Sequence, residues 1–325
     1  MGGSDERGDE RQDDFPAGMG VIRALLIAGP TASGKSALAI ALAKRWGARI
    51  VNADSMQVYR DWRILTARPT PDEEAQAPHV MFGTIDGAEN FSVGRWLERA
   101  RALLAEDCGP LIFVGGTGLF FKAMTEGLSE LPEVPDGVRE TTRAEAVGVA
   151  TPDLHAKLAA LDPLTAANLR PSDRQRVIRA LEIFAAVGVP LAAMQGARKA
   201  PALAPGEWRG LFIAPERRLL VERIDARFDA MLRLGALIEA EAMRARALDP
   251  ALPAMRAHGA PHLIAHLHGR LPLSEAAELS KRDTRRYAKR QMTWGRNQMP
   301  GFVWSAPEGA LKAALDALQI SPPLG

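Results

Sequence analysis

Residues 29–36 read Gly29-Pro30-Thr31-Ala32-Ser33-Gly34-Lys35-Ser36, the G-x-x-x-x-G-K-[ST] spacing of a phosphate-binding loop. Glycines let backbone N–H groups approach phosphate oxygens, and a helix opening at the loop's end adds positive potential. Lys35 would neutralise the outer phosphate, and the Ser36 hydroxyl would reach a magnesium ion. An apolar run precedes the loop and an alanine- and leucine-rich stretch, Ala37 to Trp46, follows it. That strand–loop–helix context argues against a glycine-rich turn that matches by chance. The loop alone leaves the reaction open: a kinase moves the terminal phosphoryl group, a switch hydrolyses it, and a prenyltransferase discards diphosphate as a leaving group.

Asp54 ends a second apolar run, in Asn52-Ala53-Asp54-Ser55-Met56-Gln57-Val58-Tyr59. In an open parallel sheet the carboxyl ends of strands border the ligand crevice, which brings Asp54 near the loop. It could cap a helix, organise magnesium, or act as a general base; position alone does not separate the last two. A third run leads into Gly115-Gly116-Thr117-Gly118, where glycines permit close backbone approach to a ligand and Thr117 projects a hydroxyl or caps a helix. Toward the carboxyl end, 281–296 holds seven basic residues against Asp283. Arg282, Arg285, Arg286, Lys289 and Arg290 share one helix face, and such like charges repel unless anions meet them. Gln291 and Trp294 beside that stripe could read or stack on an unpaired base. Arg174, Arg176 and Arg179 form a second basic cluster, and two such surfaces suit an extended polyanion. His258, His262 and His266 recur every four residues, but Pro261 interrupts the spacing, which favours ordinary surface histidines over a metal site.

These groups need elements to hold them. Four apolar runs, Arg23–Ala28, Arg49–Ala53, Pro110–Val114 and Arg209–Ala214, have the character of buried strands, and the first three alternate with helical patterns. That alternation predicts an α/β fold: a P-loop NTPase-like parallel sheet flanked by helices. Helix punctuation at Thr151-Pro152-Asp153, Asp162-Pro163 and Ser172-Asp173 predicts a helical insertion domain over 133–204, with a catalytic core of 20–132 plus 205–325. The chain should be helical again over 216–246 and 274–296.

Composition is that of an ordinary globular protein, 47% hydrophobic and 25% charged over 325 residues. One cysteine, Cys108, excludes an internal disulfide framework and a cysteine-based zinc site. No run reaches the length of a membrane span and the first residues lack a signal core, so no membrane partner and a cytoplasmic address are expected. Residues 1–14 carry a net charge of −4, which leaves +6 on the rest of a chain whose total is +2. The acidic tail, 1–19, reads as solvated and disordered.

Taken in order, GPTASGKS, NADSMQVY, PHVMFGT, FVGGTGLFFKA, DRQRVIRALE and YAKRQMTWGRNQ resemble the tRNA dimethylallyltransferases, over about Leu25 to Trp304. The resemblance implies transfer of a dimethylallyl group from dimethylallyl diphosphate, with Mg2+, to the exocyclic amine of the adenosine 3′ to the anticodon, in tRNAs reading codons that begin with U. It implies a monomer binding the tRNA anticodon stem-loop. By motif, Gly29–Ser36 and Arg223 hold the diphosphate, Asp54 is the general base, and Thr117 places the reacting groups. tRNA contacts fall at Asp54, Ser55, Met56, Gln57, Thr117, Arg139, Gln175, Arg176, Val177, Ile178, Arg179, Arg256, Lys289, Arg290, Gln291, Met292, Thr293, Trp294, Gly295 and Arg296. The family segment V-G-Y-[RK]-[QE] is altered here: Arg256 and Gly259 match, while Ala260 and Pro261 replace the aromatic and basic positions. Phe120 stands where a tyrosine is common. Rival readings are a prenyltransferase of free adenine nucleotides, a small-molecule kinase or ATPase, and a noncatalytic RNA-binding protein.

Overall fold

The computed structural model describes residues 22–106, 109–129, 131–194 and 198–319. The acidic tail and Cys108 lie outside the described residues. The described chain forms two compact units, one of 22–91, 103–118 and 203–319, the other of Ser92–Ala102 and Leu119–Ala202. The helices expected over 133–204 fall in the second.

The chain runs β1 (Ala24–Ala28), α1 (Lys35–Trp46), β2 (Arg49–Asn52), α2 (Pro71–Glu74), β3 (His79–Val80), α3 (Val93–Ala105), β4 (Leu111–Gly115) and α4 (Gly118–Glu126). It continues α5 (Asp136–Ala146), α6 (Thr151–Leu161), α7 (Pro163–Ala167), α8 (Arg174–Val187), α9 (Leu191–Met194) and β5 (Trp208–Ile213). It closes α10 (Arg217–Leu234), α11 (Ala236–Ala245), α12 (Ala260–Leu267), α13 (Leu273–Gln298), β6 (Phe302–Ser305) and α14 (Ala310–Leu318).

The six strands make one parallel sheet, ordered β3-β2-β4-β1-β5-β6. β1 is central and buried along its whole length, as its unbroken apolar run demands of a strand covered on both faces. Leu25 and Ile27 pack with Ala39, Leu42 and Ala43 of α1 and with Ala314 and Leu315 of α14. Two strands go beyond the four apolar runs. β3 has only two residues and β6 is an edge strand paired to β5, so neither needed a long apolar run. The helix expected over 216–246 is two helices: Gly235, at φ 109°, ends α10 and starts α11.

The second unit packs Ala146, Leu154, Leu158, Ala166, Val177, Ala180 and Leu181 into its own core. α7 and α8 start where Asp162 and Asp173 cap them: Asp162 accepts from Thr165 N–H and Asp173 from Arg176 N–H. Glu182 is buried and paired with Arg143 at 2.7 Å and Arg179 at 3.2 Å.

One approach in the sheet leaves no space. A Cβ on Gly115 would lie 2.0 Å from the Ala53 carbonyl oxygen, a backbone atom fixed by the end of β2. Gly115→Ala is expected to destabilise the protein by about 3 kcal/mol, because neither strand end can give way. Urea unfolding measures it; a midpoint equal to wild type would contradict this packing.

Candidate active site

The loop after β1 turns on Ala32 at φ 62° and Gly34 at φ 90°, both left-handed, and delivers the chain into α1 at Lys35. No side chain caps α1, so its first N–H groups remain available to an anion. Lys35 Nζ donates to the Pro30 carbonyl at 3.0 Å, folded back over its own loop. Burial lowers the Lys35 pKa to about 8, with Asp54 opposing that shift and Arg227 adding to it. Ser33 is fully buried and its hydroxyl has no hydrogen-bond partner, while Ser36 is exposed at the start of α1. An orphaned hydroxyl and unfilled N–H groups fit a phosphate ligand. The exposed Ser36 hydroxyl, beside where phosphate oxygens would lie, fits a Mg2+ ion whose other ligands come mostly from phosphate and water.

Asp54 lies just past β2 in a turn. Its Oδ1 accepts from Met56 N–H at 2.9 Å, so it caps a turn and no helix. Asn52, wholly buried, fixes the backbone there: its Oδ1 accepts from Asp54 N–H at 2.8 Å and its Nδ2 donates to the Asp54 carbonyl at 3.0 Å. Thr117 Oγ1 accepts from Ser55 N–H at 2.9 Å and donates to Ser55 Oγ at 3.2 Å. The Tyr287 hydroxyl of α13 lies beside Thr117 and Gln291; burial, reinforced by the Asp54 charge, pushes its pKa up.

Gln291, also of α13, is buried, and both ends of its amide are engaged. Its Oε1 accepts from Thr31 N–H of the loop at 3.0 Å, and its Nε2 donates to the Gly116 carbonyl at 2.9 Å. The expectation that Gln291 reads a base is therefore corrected: it is a brace inside the protein. The glycines of the third motif are corrected likewise. A Cβ on Gly116 would meet Gln291 Nε2 at 2.1 Å, and one on Gly118 would meet Trp294 Cδ1 at 2.1 Å, so their space is taken by protein rather than ligand. Trp294 packs on Gly118 with its indole N–H buried and unpartnered, and Gly295 is buried against Phe212.

These elements enclose one pocket. Thr31 and Ala32 of the loop, Asp54, Met56, Leu65, Thr66, Ala67, Ile224, Arg227, Phe228, Met231, His258, Thr284 and Tyr287 line it. The 63–67 wall is held from behind. Glu239 accepts N–H bonds from Arg63, Ile64 and Leu65 at 2.8–3.0 Å, and Gln57 Nε2 donates to the Thr66 and Ala67 carbonyls at 2.9 Å. Gln57 thus shapes the pocket from outside its lining. Arg223 is not among the lining residues; Arg227, one turn along the same face of α10, is. Arg227 is largely buried, which lowers its pKa, and it interacts with both Lys35 and Asp54. It is the cation the sequence reading missed, and its i, i+4 spacing from Arg223 was the available signal.

The basic stripe of α13 is less bare than its sequence suggests. Arg285 pairs with Asp225 at 2.6 Å and Lys281 with Asp229 at 2.8 Å, both acids on α10, while Arg282 and Arg286 lie 3.6 and 3.5 Å from Asp283. The expectation of uncompensated charge fails for that half. Lys289, Arg290 and Arg296 are exposed, with no carboxylate at ion-pair distance among the described residues; Arg290 lies over the Tyr287 ring and Arg296 over Trp304. Thr293 is exposed and Met292 half-buried; Arg256 is exposed on a 3-10 turn, Pro253–Arg256. In the second unit Arg139, Arg176 and Arg179 pair with Asp136, Asp173 and Glu182, and Arg174 donates to backbone carbonyls. Gln175 is exposed there, but Val177 is wholly buried and Ile178 packs on the core, so an RNA contact by Val177 is excluded. The three histidines are not plain surface groups: His258 stacks on Tyr287 at 4.2 Å, His262 bonds Asp283 at 2.9 Å, and His266 meets the Leu271 carbonyl at 3.0 Å.

The Lys35 pKa has a measurable consequence. An anion bound in the loop raises it above about 8, so binding takes up a proton above that pH, and affinity falls as pH climbs through it. Below it, Lys35 is protonated with or without ligand and adds no pH dependence. Calorimetry with an unreactive allylic diphosphate, one unit above that pKa in buffers of differing ionisation enthalpy, should report uptake in wild type and none in Lys35→Met. Buffer-independent heats in wild type would remove the assignment.

Related proteins match nearly the whole of this chain. A 61% identical tRNA dimethylallyltransferase of Methylocella silvestris aligns over 90% of this chain and 97% of its own, and a 56% identical one of Beijerinckia indica over 91% and 99%. Among solved structures, the full-length tRNA isopentenylpyrophosphate transferase of Bacillus halodurans is 31% identical with a TM-score of 0.64, covering 92% of this chain and 97% of that one. A eukaryotic dimethylallyltransferase acting on tRNA shares the fold, with a TM-score of 0.76 at 23% identity over 93% and 81%. The isopentenyl transferase pattern matches residues 22–82 and the IPP transferase pattern residues 57–298. With the loop, Asp54 and α13 all inside those spans, the chain belongs to the IPP transferase family.

Proposed function

We propose that the protein transfers a dimethylallyl group from dimethylallyl diphosphate to the exocyclic amine of the adenosine 3′ to the anticodon, in tRNAs reading codons that begin with U. The observation that carries this reading is one pocket joining an anion-binding loop, a carboxylate and an apolar wall of Leu65, Ile224, Phe228 and Met231. The apolar wall suits the five-carbon tail and the loop its diphosphate.

The adenine amine is a weak nucleophile because its lone pair is delocalised into the ring. The allylic carbon compensates, since it bears positive charge as its bond to the diphosphate oxygen breaks. Nitrogen bonds to that carbon, the electron pair leaves with diphosphate, and Asp54 accepts the amine proton. The protein's main contribution is stabilising charge on the leaving group through the α1 N–H groups, Lys35 and Arg227; one such donor is typically worth about 3 kcal/mol. Ser36 would hold Mg2+, which supplies further positive charge there when bound. Asp54 adds base assistance of roughly 10²–10⁴. The target adenosine is stacked in a free anticodon loop, so reaching the pocket requires turning it outward.

Incubating the protein with dimethylallyl diphosphate, Mg2+ and bulk tRNA, then digesting to nucleosides, should yield adenosine heavier by one isopentenyl unit. Equal turnover of AMP, or transfer of label from γ-labelled ATP without a prenyl donor, would overturn the assignment. Asp54→Asn should lower kcat by about 10²–10⁴ while leaving tRNA affinity intact; unchanged turnover would remove its role as base. Contact with about four phosphates gives a slope of log K against log salt near −3. Lys289→Ala should flatten that slope by about 1, and a slope near zero in wild type would discard the electrostatic interface.

A further inference from the structure

We infer that the imidazole of His258 hydrogen-bonds one of the two ring nitrogens flanking the reacting amine of the acceptor adenine, and so selects a 6-aminopurine over a 6-oxopurine. The inference rests on the function proposed above and names how the base is recognised.

Few polar groups on the pocket wall are free. The Tyr287 hydroxyl is turned toward Thr117 and Gln291, away from the ring that His258 packs on. The Thr284 hydroxyl donates to the Ser280 carbonyl at 2.8 Å, and the Thr66 hydroxyl to the Trp62 carbonyl at 3.2 Å. Arg227 and Thr31 belong to the anion end, and Asp54 takes the amine proton. His258 remains. It lines the pocket, and neither ring nitrogen has a hydrogen-bond partner among the described residues.

Its ring is also held in place. Tyr287 packs on it at 4.2 Å between centroids and 42° between planes. The next residue, Gly259, has φ +96°, and a Cβ there would press on Phe228 at 2.9 Å and Leu65 at 3.0 Å, both pocket residues. The backbone thus lies close against the wall beside His258. Burial lowers the His258 pKa; Arg290 acts in the same direction, and the charges of Asp54 and Asp283 oppose it. A neutral imidazole offers one N–H donor and one acceptor.

Asp54 and His258 together then present an acceptor and a donor to one base edge. Adenine answers with an amine hydrogen and a ring-nitrogen lone pair. A 6-oxopurine turns a carbonyl oxygen toward the carboxylate, so the Asp54 pairing fails whichever ring nitrogen meets His258; at N1 it also carries a hydrogen in place of the lone pair, and there both pairings fail. A pocket built to satisfy such groups rejects analogues that leave them unpaired.

Anticodon stem-loops carrying adenine, 1-deazaadenine or 7-deazaadenine at the acceptor position test this with the full chain. In wild type, one deaza substitution should lower kcat/KM about fivefold beyond its effect in the variant, the loss of one neutral hydrogen bond. His258→Phe, which keeps the ring contact with Tyr287, should react more slowly with adenine and be indifferent to that same deletion. His258→Gln, which keeps an N–H donor, should recover part of the coupling and carries the measurement if the phenylalanine variant does not fold. The intrinsic effect of each deaza ring on amine reactivity is common to all proteins and cancels in the ratio. If both deaza substrates cost wild type and variants alike, the inference fails. If wild type prenylates no adenine substrate, the proposed function fails instead.

Discussion

The site is assembled around one buried amide. Gln291 takes an N–H bond from the phosphate loop at Thr31 and gives one to the carbonyl of Gly116, so a single side chain on α13 sets the spacing between the ends of β1 and β4. The bond to Gly116 is buried and the bond to Thr31 part-buried, so losing the first leaves a buried polar group unpaired at about 1–3 kcal/mol. The loop that grips an anion and the turn that carries Thr117 are therefore placed relative to each other by a residue that takes no part in the chemistry. Tyr287, one turn earlier on the same helix, lies beside Thr117 and carries the pocket wall past it.

The glycines that look like ligand-binding residues serve this assembly. Gly115 admits the Ala53 carbonyl, Gly116 the Gln291 amide and Gly118 the Trp294 indole. Each is small because another part of the protein must come close, and the result is that Asp54, at the end of β2, is drawn toward the loop at the end of β1. Preorganisation of this kind lets a carboxylate and an anion cradle face one small volume without reorganising during reaction.

How much of this could be read from sequence follows from the range of the interactions involved. The phosphate loop is local: spacing, strand before and helix after all fall within about two dozen residues, and the structure reproduces them. β1, β2, β4 and β5 were legible because burial on both faces leaves an unbroken apolar run. β3 and β6 were not, being too short or too near the sheet's edge to leave one. Gln291 was misread because a polar residue next to arginines on a helix resembles a surface group, and its partners lie 175 and 260 positions away. Arg227 was passed over for Arg223 because both repeat on one helical face, and only packing decides which turn meets the pocket. Val177, set among arginines, drew a binding role from its neighbours although its own side chain is core.

Charge on α13 follows the same division of labour. The acids of α10 neutralise its first half, through Asp229 with Lys281 and Asp225 with Arg285. The residues left unpaired, Lys289, Arg290 and Arg296, flank Gln291, the residue bonded to the phosphate loop. Net positive charge is thus left on the second half of the helix, past the pocket-lining Thr284 and Tyr287, while the basic residues of the first half hold α13 against α10. Even spacing of basic residues in the sequence thus becomes an uneven field, because pairing cancels the charge along the first half of the helix and leaves it on the second.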